Sequence, residues 1–254
     1  MTARIPYLLL YLNYHVITHG SGEERQASIP NYFIGSDSLT DMTVDPFNRW
    51  KHHTAVVIFS LVIAGVLWAT SHSIPRIVGA VPWFLLFLVM IIGPLTKLRP
   101  SISKLYGGNF PLNWRSELGI WFVIWSLVHV GGVFNRFGWD IIGFVVGMSP
   151  WAFAALIGTI LAVILAITSN EWAYQFMGPK AWKWHQSHGT YVMFYLLTVH
   201  IYDQTFLRGG VITDDPLHFL YAVSVIIVVG LHIAAFVKVV AHYRKHDKYP
   251  SGIQ

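Results

Sequence analysis

Six stretches of this sequence stay apolar for close to twenty residues each, and a stretch of that kind belongs in a bilayer. Crossing ~30 Å of hydrocarbon takes about 20 predominantly apolar residues in a helix, which satisfies its backbone polar groups internally. The windows are 53–71, 77–96, 117–135, 149–168, 187–206 and 216–241. Pro82 falls in the first turns of the second window, where a proline is tolerated. Gly- and Pro-rich turns such as YGGNFPLN (106–113) and RGGVITDDP (208–216) separate windows. Only 11% of the 254 residues are Asp, Glu, Lys or Arg, whereas 54% are hydrophobic; soluble domains carry ~25% charged residues. The expected fold is an all-α integral membrane protein, a bundle of about six transmembrane helices behind an N-terminal arm.

The divisions expected are an arm over 1–52, a transmembrane domain over 53–241 and a short tail over 242–254. Residues 6–18 (PYLLLYLNYHVIT) are apolar but short and lack a small-residue cleavage site, so they read as an interfacial or partner-packing segment rather than a signal peptide. Residues 19–48 read as a polar loop. Charge orients the bundle. Lys97, Arg99, Lys104 and Arg115 share one loop, Lys180 and Lys183 another, and Arg244, Lys245 and Lys248 the tail. The alternate loops hold Arg76 alone, Arg136 with Asp140, and Arg208 with Asp203, Asp214 and Asp215. The positive-inside rule then puts both termini in the cytoplasm and runs the third and fifth windows in the same direction, inside to outside. The net charge of +5 fits this topology, and no basic patch interleaved with stacking aromatics suggests nucleic-acid binding.

Cysteine is absent, which removes disulfides, thiolate metal sites, iron–sulfur clusters and cysteine nucleophiles. Thirteen histidines are the transition-metal ligands available in quantity, beside six methionines. Ionisable groups inside a membrane window are costly and mark function by default. His129, His200 and His232 lie well inside windows, and His188 lies near the start of the fifth with His185 one turn before it. His129 stands 14 residues beyond Arg115, about 21 Å along a helix, and His200 stands 12 residues, about 18 Å, beyond His188. Two parallel helices thus carry a histidine at similar depth, an arrangement able to clamp one haem iron between two imidazoles. His188, or His185 on the same face, could serve a second haem or a flavin. Twelve residues rotate a helix by about 120° beyond whole turns, so His188 and His200 do not share an identical face. His232 reads as a packing residue. His15, His19, His52, His53, His72, His242 and His246 read as ordinary interfacial or solvated groups, and the aromatic residues as lipid-facing core or belt. Arg115 reads as an inside anchor or a neighbour of a cofactor carboxylate.

With these residues in hand, WRSELGIWFVIWSLVH (114–129) and ITSNEWAYQFMGPKAWKWHQSHGTYVMFYLLTVH (167–200) resemble the ferric reductase-like transmembrane family, closest to its haem-binding MsrQ/YedZ type. The agreeing positions are Arg115, Leu118-Gly119, His129, Thr168-Ser169, Trp184, His188, Tyr191 and His200, and GPLTKLRP (93–100) resembles the end of the family's second helix. The likeness spans roughly residues 80–240. It implies haem b, one or two per chain, with FMN or quinone as further cofactors. His129, His200 and His188 would ligate the iron, with His185, Arg115 and Trp184 also at the cofactors. The chain departs from the pattern in several ways. The spacings from His188 to His200 and to Tyr191 are each one residue short, Arg115 is preceded by Trp114 rather than a second basic residue, and the third window has one histidine. The inner ligand therefore stays open between His185 and His188.

The resulting expectation is a membrane b-type cytochrome subunit. It would carry electrons from a cytoplasmic flavin or quinol donor to an outer-face acceptor, and so is an oxidoreductase component at most. No G-x-G-x-x-G, nucleophile elbow or H-E-x-x-H occurs, so reductant is expected from a separate protein or from quinol. The resemblance places the chain in a bacterial inner membrane, with donor and acceptor proteins as partners and no nucleic acid. The alternative is a haem-free structural or accessory subunit of a larger membrane complex, or a pigment-binding one, since an imidazole ligates magnesium as readily as iron.

Overall fold

The computed structural model describes residues 50–70, 72–102, 114–203 and 216–246, all within a unit spanning residues 43–254. The arm before Trp50, the turns at 106–113 and 208–215, and Lys104 and Lys248 lie outside the described residues. Regular structure among those described is helical, with no strand. The helices are α1 (Trp50–Ala69), α2 (Ile74–Leu98), α3 (Arg115–Arg136), α4 (Ile141–Val146), α5 (Pro150–Ile167), α6 (Glu171–Met177), α7 (Pro179–Tyr202) and α8 (Pro216–His246). The starts follow local chemistry. Ser149 accepts a bond from the Ala152 N–H to begin α5, and Asn170 accepts one from Ala173 to begin α6. Prolines open α5, α7 and α8, where the missing N–H costs nothing. Gly178, at φ 76°, turns the chain between α6 and α7.

Five helices, α1, α2, α3, α5 and α8, are long and apolar enough to cross a membrane. The chain is an all-α membrane protein, with five apolar spans among the described residues. The window at 187–206 folds as the later part of α7, whose opening turns carry Lys180, Lys183, His185, Gln186, Ser187 and His188. That polar start keeps α7 from qualifying as a sixth apolar span. The helices also overrun the windows at both ends of the bundle, since α1 begins at Trp50 and α8 continues to His246.

α2 is the mast of the bundle. Ala80, Val81, Leu85 and Leu86 are fully buried on it, and α1, α3 and α8 pack around it. It starts earlier than the window did, so Pro82 lies two turns inside and Pro94 is interior as well. Neighbouring helices make such prolines tolerable in a membrane. Trp83 ties α2 to its surroundings. Its indole N–H donates to Ser224 Oγ at 2.8 Å, and its ring stacks on Phe194 of α7 and meets Tyr221 of α8 edge-on. Lys238 of α8 caps the end of α2, donating to the Lys97 and Leu98 carbonyls at 3.2 and 2.6 Å.

α5 and α7 form the other close pair. A Cβ at Gly158 would sit 3.2 Å from Leu197, and one at Gly189 only 2.7 Å from Leu165 Cδ2. Small residues thus let the two backbones approach, as helices in lipid commonly do.

Candidate functional site

His129 and His200, half-buried on α3 and α7, stand within electrostatic reach of each other. Arg136, two turns further along α3, also acts on His129. The His129 ring lies against the backbone of α2 at Gly79. Nearer the start of α3, Arg115 is within electrostatic reach of Tyr191 on α7. Two such pairings in the same order show that α3 and α7 run in the same direction. The backbones of α3 and α7 make little contact with each other, and each packs against α5 instead. The two imidazoles therefore come within electrostatic reach from helices whose backbones are not in close contact.

The residues at the Arg115 end divide. His188 Nδ1 is 3.0 Å from the Trp184 carbonyl. A carbonyl only accepts, so Nδ1 is the donor in this bond. The His188 ring stacks on Trp184 at 4.7 Å, and both side chains are exposed. His185 turns the other way, its Nε2 3.1 Å from Thr168 Oγ1 on α5. Thr168 also takes a bond from Gln186 at 3.1 Å, while its carbonyl accepts the Trp182 indole N–H at 2.8 Å. His185 and His188, one turn apart, thus occupy different surroundings. His232, read as packing from sequence, meets Tyr191 edge-on at 5.3 Å and donates its Nδ1–H to the Val228 carbonyl at 2.8 Å.

A second polar cluster was not anticipated. Glu117 has no exposed surface. His52 Nδ1 lies 3.3 Å from its Oε1, and Ser116 donates to Oε2 at 2.8 Å. His52 stacks on Trp114 at 4.9 Å, and Trp121 donates its indole N–H to His53 Nδ1 at 3.1 Å. An indole N–H only donates, so His53 is unprotonated at Nδ1. His52 and His53 are therefore not the solvated interfacial groups their position at a helix mouth suggested. The signal that could have found them is Glu117 itself, a carboxylate at the edge of a membrane window.

Among the described residues no three His, Asp or Glu side chains converge on a metal position. No family model matches the chain, and no solved structure matches it.

Proposed function

We propose that this chain is a membrane cytochrome subunit whose b-type haem is held between α3 and α7 by His129 and His200. The observation that carries the reading is the pairing of those two imidazoles from separate, parallel helices that do not pack on each other. The donor set fits the group. A porphyrin brings four nitrogens of its own, so two imidazoles would suffice to hold its iron, whereas among the described residues no group of three His, Asp or Glu is placed to hold a bare ion. Haem, when bound, supplies a reversible one-electron couple tuned by its axial ligands and burial.

On this reading α7 makes a sixth crossing, its polar first turns lying at the cytoplasmic face with Arg115, Lys180 and Lys183. His129 and His200 then sit in the outer half, with Arg136 beyond them as a cation for a haem carboxylate. His188, exposed and stacked on Trp184 one turn before Tyr191, is the proposed point at which a flavin, a quinol or a second haem delivers electrons. The donor and acceptor are separate molecules, and the membrane is the bacterial inner membrane of the resemblance.

The test is a reduced-minus-oxidised absorption spectrum of the detergent-purified chain, with haem extracted and counted. A b-type spectrum with one or two haems per chain is expected, and haem at the outer position is expected to be lost in both His129→Ala and His200→Ala. His185→Ala is expected to keep full haem, because that ring is committed to Thr168. A folded chain with no haem band sinks the cytochrome reading, and bound magnesium tetrapyrrole instead would make this a pigment subunit. Full haem in His129→Ala sinks the ligand assignment.

A further inference from the structure

We infer that Gly79 is a positioning residue, the seat on α2 that sets the tilt of the His129 imidazole. A Cβ at Gly79 would lie 3.1 Å from His129 Cε1, 3.3 Å from Nδ1 and 3.8 Å from Nε2. The Cε1–Nδ1 edge of the ring is therefore the part nearest the bare backbone, with Nε2 slightly further off. A ligand histidine needs its ring held in one orientation by the protein, and the backbone at Gly79 supplies such a support. The other glycine of α2, Gly93, has nothing within 4 Å of its Cβ position. The close approach is thus particular to Gly79 and is not a general property of glycines on this helix. Contacts of 3.1 and 3.3 Å are too tight for an ordinary methyl group. An alanine would push the ring by a few tenths of an ångström, and the ring would answer by turning about its side-chain bonds.

The seating of His129 is a statement about the chain alone. Its consequence for haem rests on the proposed function, so the experiment has two arms. The first is a double-mutant cycle on thermal unfolding of the purified full-length chain. Gly79→Ala is expected to lower the unfolding midpoint by a few degrees when His129 is present. In the His129→Ala background, where the ring is gone, the same substitution is expected to leave the midpoint unchanged or raise it. Gly93→Ala is expected to behave alike in both backgrounds. Equal effects of Gly79→Ala with and without His129 overturn the inference. If Gly79→Ala alone does not fold, the Gly79→Ala/His129→Ala chain must fold, and its failure to do so overturns the inference as well. The second arm reads the electron paramagnetic resonance spectrum and the midpoint potential of the oxidised haem. Gly79→Ala is expected to shift both, because turning the His129 ring would change how it holds the iron, whereas Gly93→Ala leaves them alone. An unchanged spectrum and potential at full haem content overturn the link to the iron. A wild-type chain without haem removes the proposed function but leaves the unfolding cycle to decide the role of Gly79.

Discussion

A carboxylate sealed inside a membrane helix must be met by donors, and Glu117 is met by His52 from another helix and by its neighbour Ser116. Removing one partner of such a pair leaves a buried charge that water cannot reach. His52→Ala is expected to cost about 1–3 kcal/mol of stability, measured by denaturant or thermal unfolding in detergent. Glu117→Gln keeps an acceptor oxygen without the charge and is expected to cost less. A His52→Ala chain that unfolds no earlier than its parent would show that the α1–α3 contact does not depend on this pair. At this scale the sequence was legible where a single residue broke an apolar run, and His129 and His200 stand out on those terms. Glu117 did not, because a carboxylate at a window's edge looks like an ordinary helix-start residue favoured by the dipole. Its burial comes from His52, 65 positions away. Gly79 was equally silent, since glycine is common in membrane helices and only the arrival of α3 gives it a neighbour.

At the scale of elements, the described parts of the six windows are largely helical, and five of the helices are apolar enough to cross a membrane, because a long apolar run in lipid satisfies its backbone within a helix. What periodicity could not supply was the tertiary use of each. α7 combines a polar, histidine-rich start with an apolar finish, and its hold on α5 is made by missing side chains at Gly158 and Gly189. Gly189→Val should therefore wedge Leu165 and cost about 1–3 kcal/mol. The same change at Gly230 on α8, where nothing lies within 4 Å, should be close to neutral. Equal melting of the two variants would mean that α5 and α7 do not rely on close approach. Pro82 makes the same point about boundaries. Sequence put it near a helix start, but α2 gains its first turn from residues before the apolar window, and the proline ends up buried in the interior.

For the whole molecule, the decisive quantity is how many times the chain crosses the bilayer. The natural absence of cysteine makes this measurable with single introduced thiols. Lys180→Cys at the start of α7 and Tyr202→Cys at its end are expected to react with an impermeant maleimide from opposite faces of the membrane. Labelling from the same face would lay α7 along the surface and remove the proposed haem position with it.

The bond between Trp83 and Ser224 joins α2 to α8, the last helix described. Until that last helix has been synthesised and inserted, the indole N–H has hydrocarbon where its hydroxyl partner should be, a polar group with nothing to answer it. The middle of the bundle therefore closes only once α8 is in place. Any chain interrupted upstream of Ser224 leaves α2 with the flank that α8 covers open to lipid.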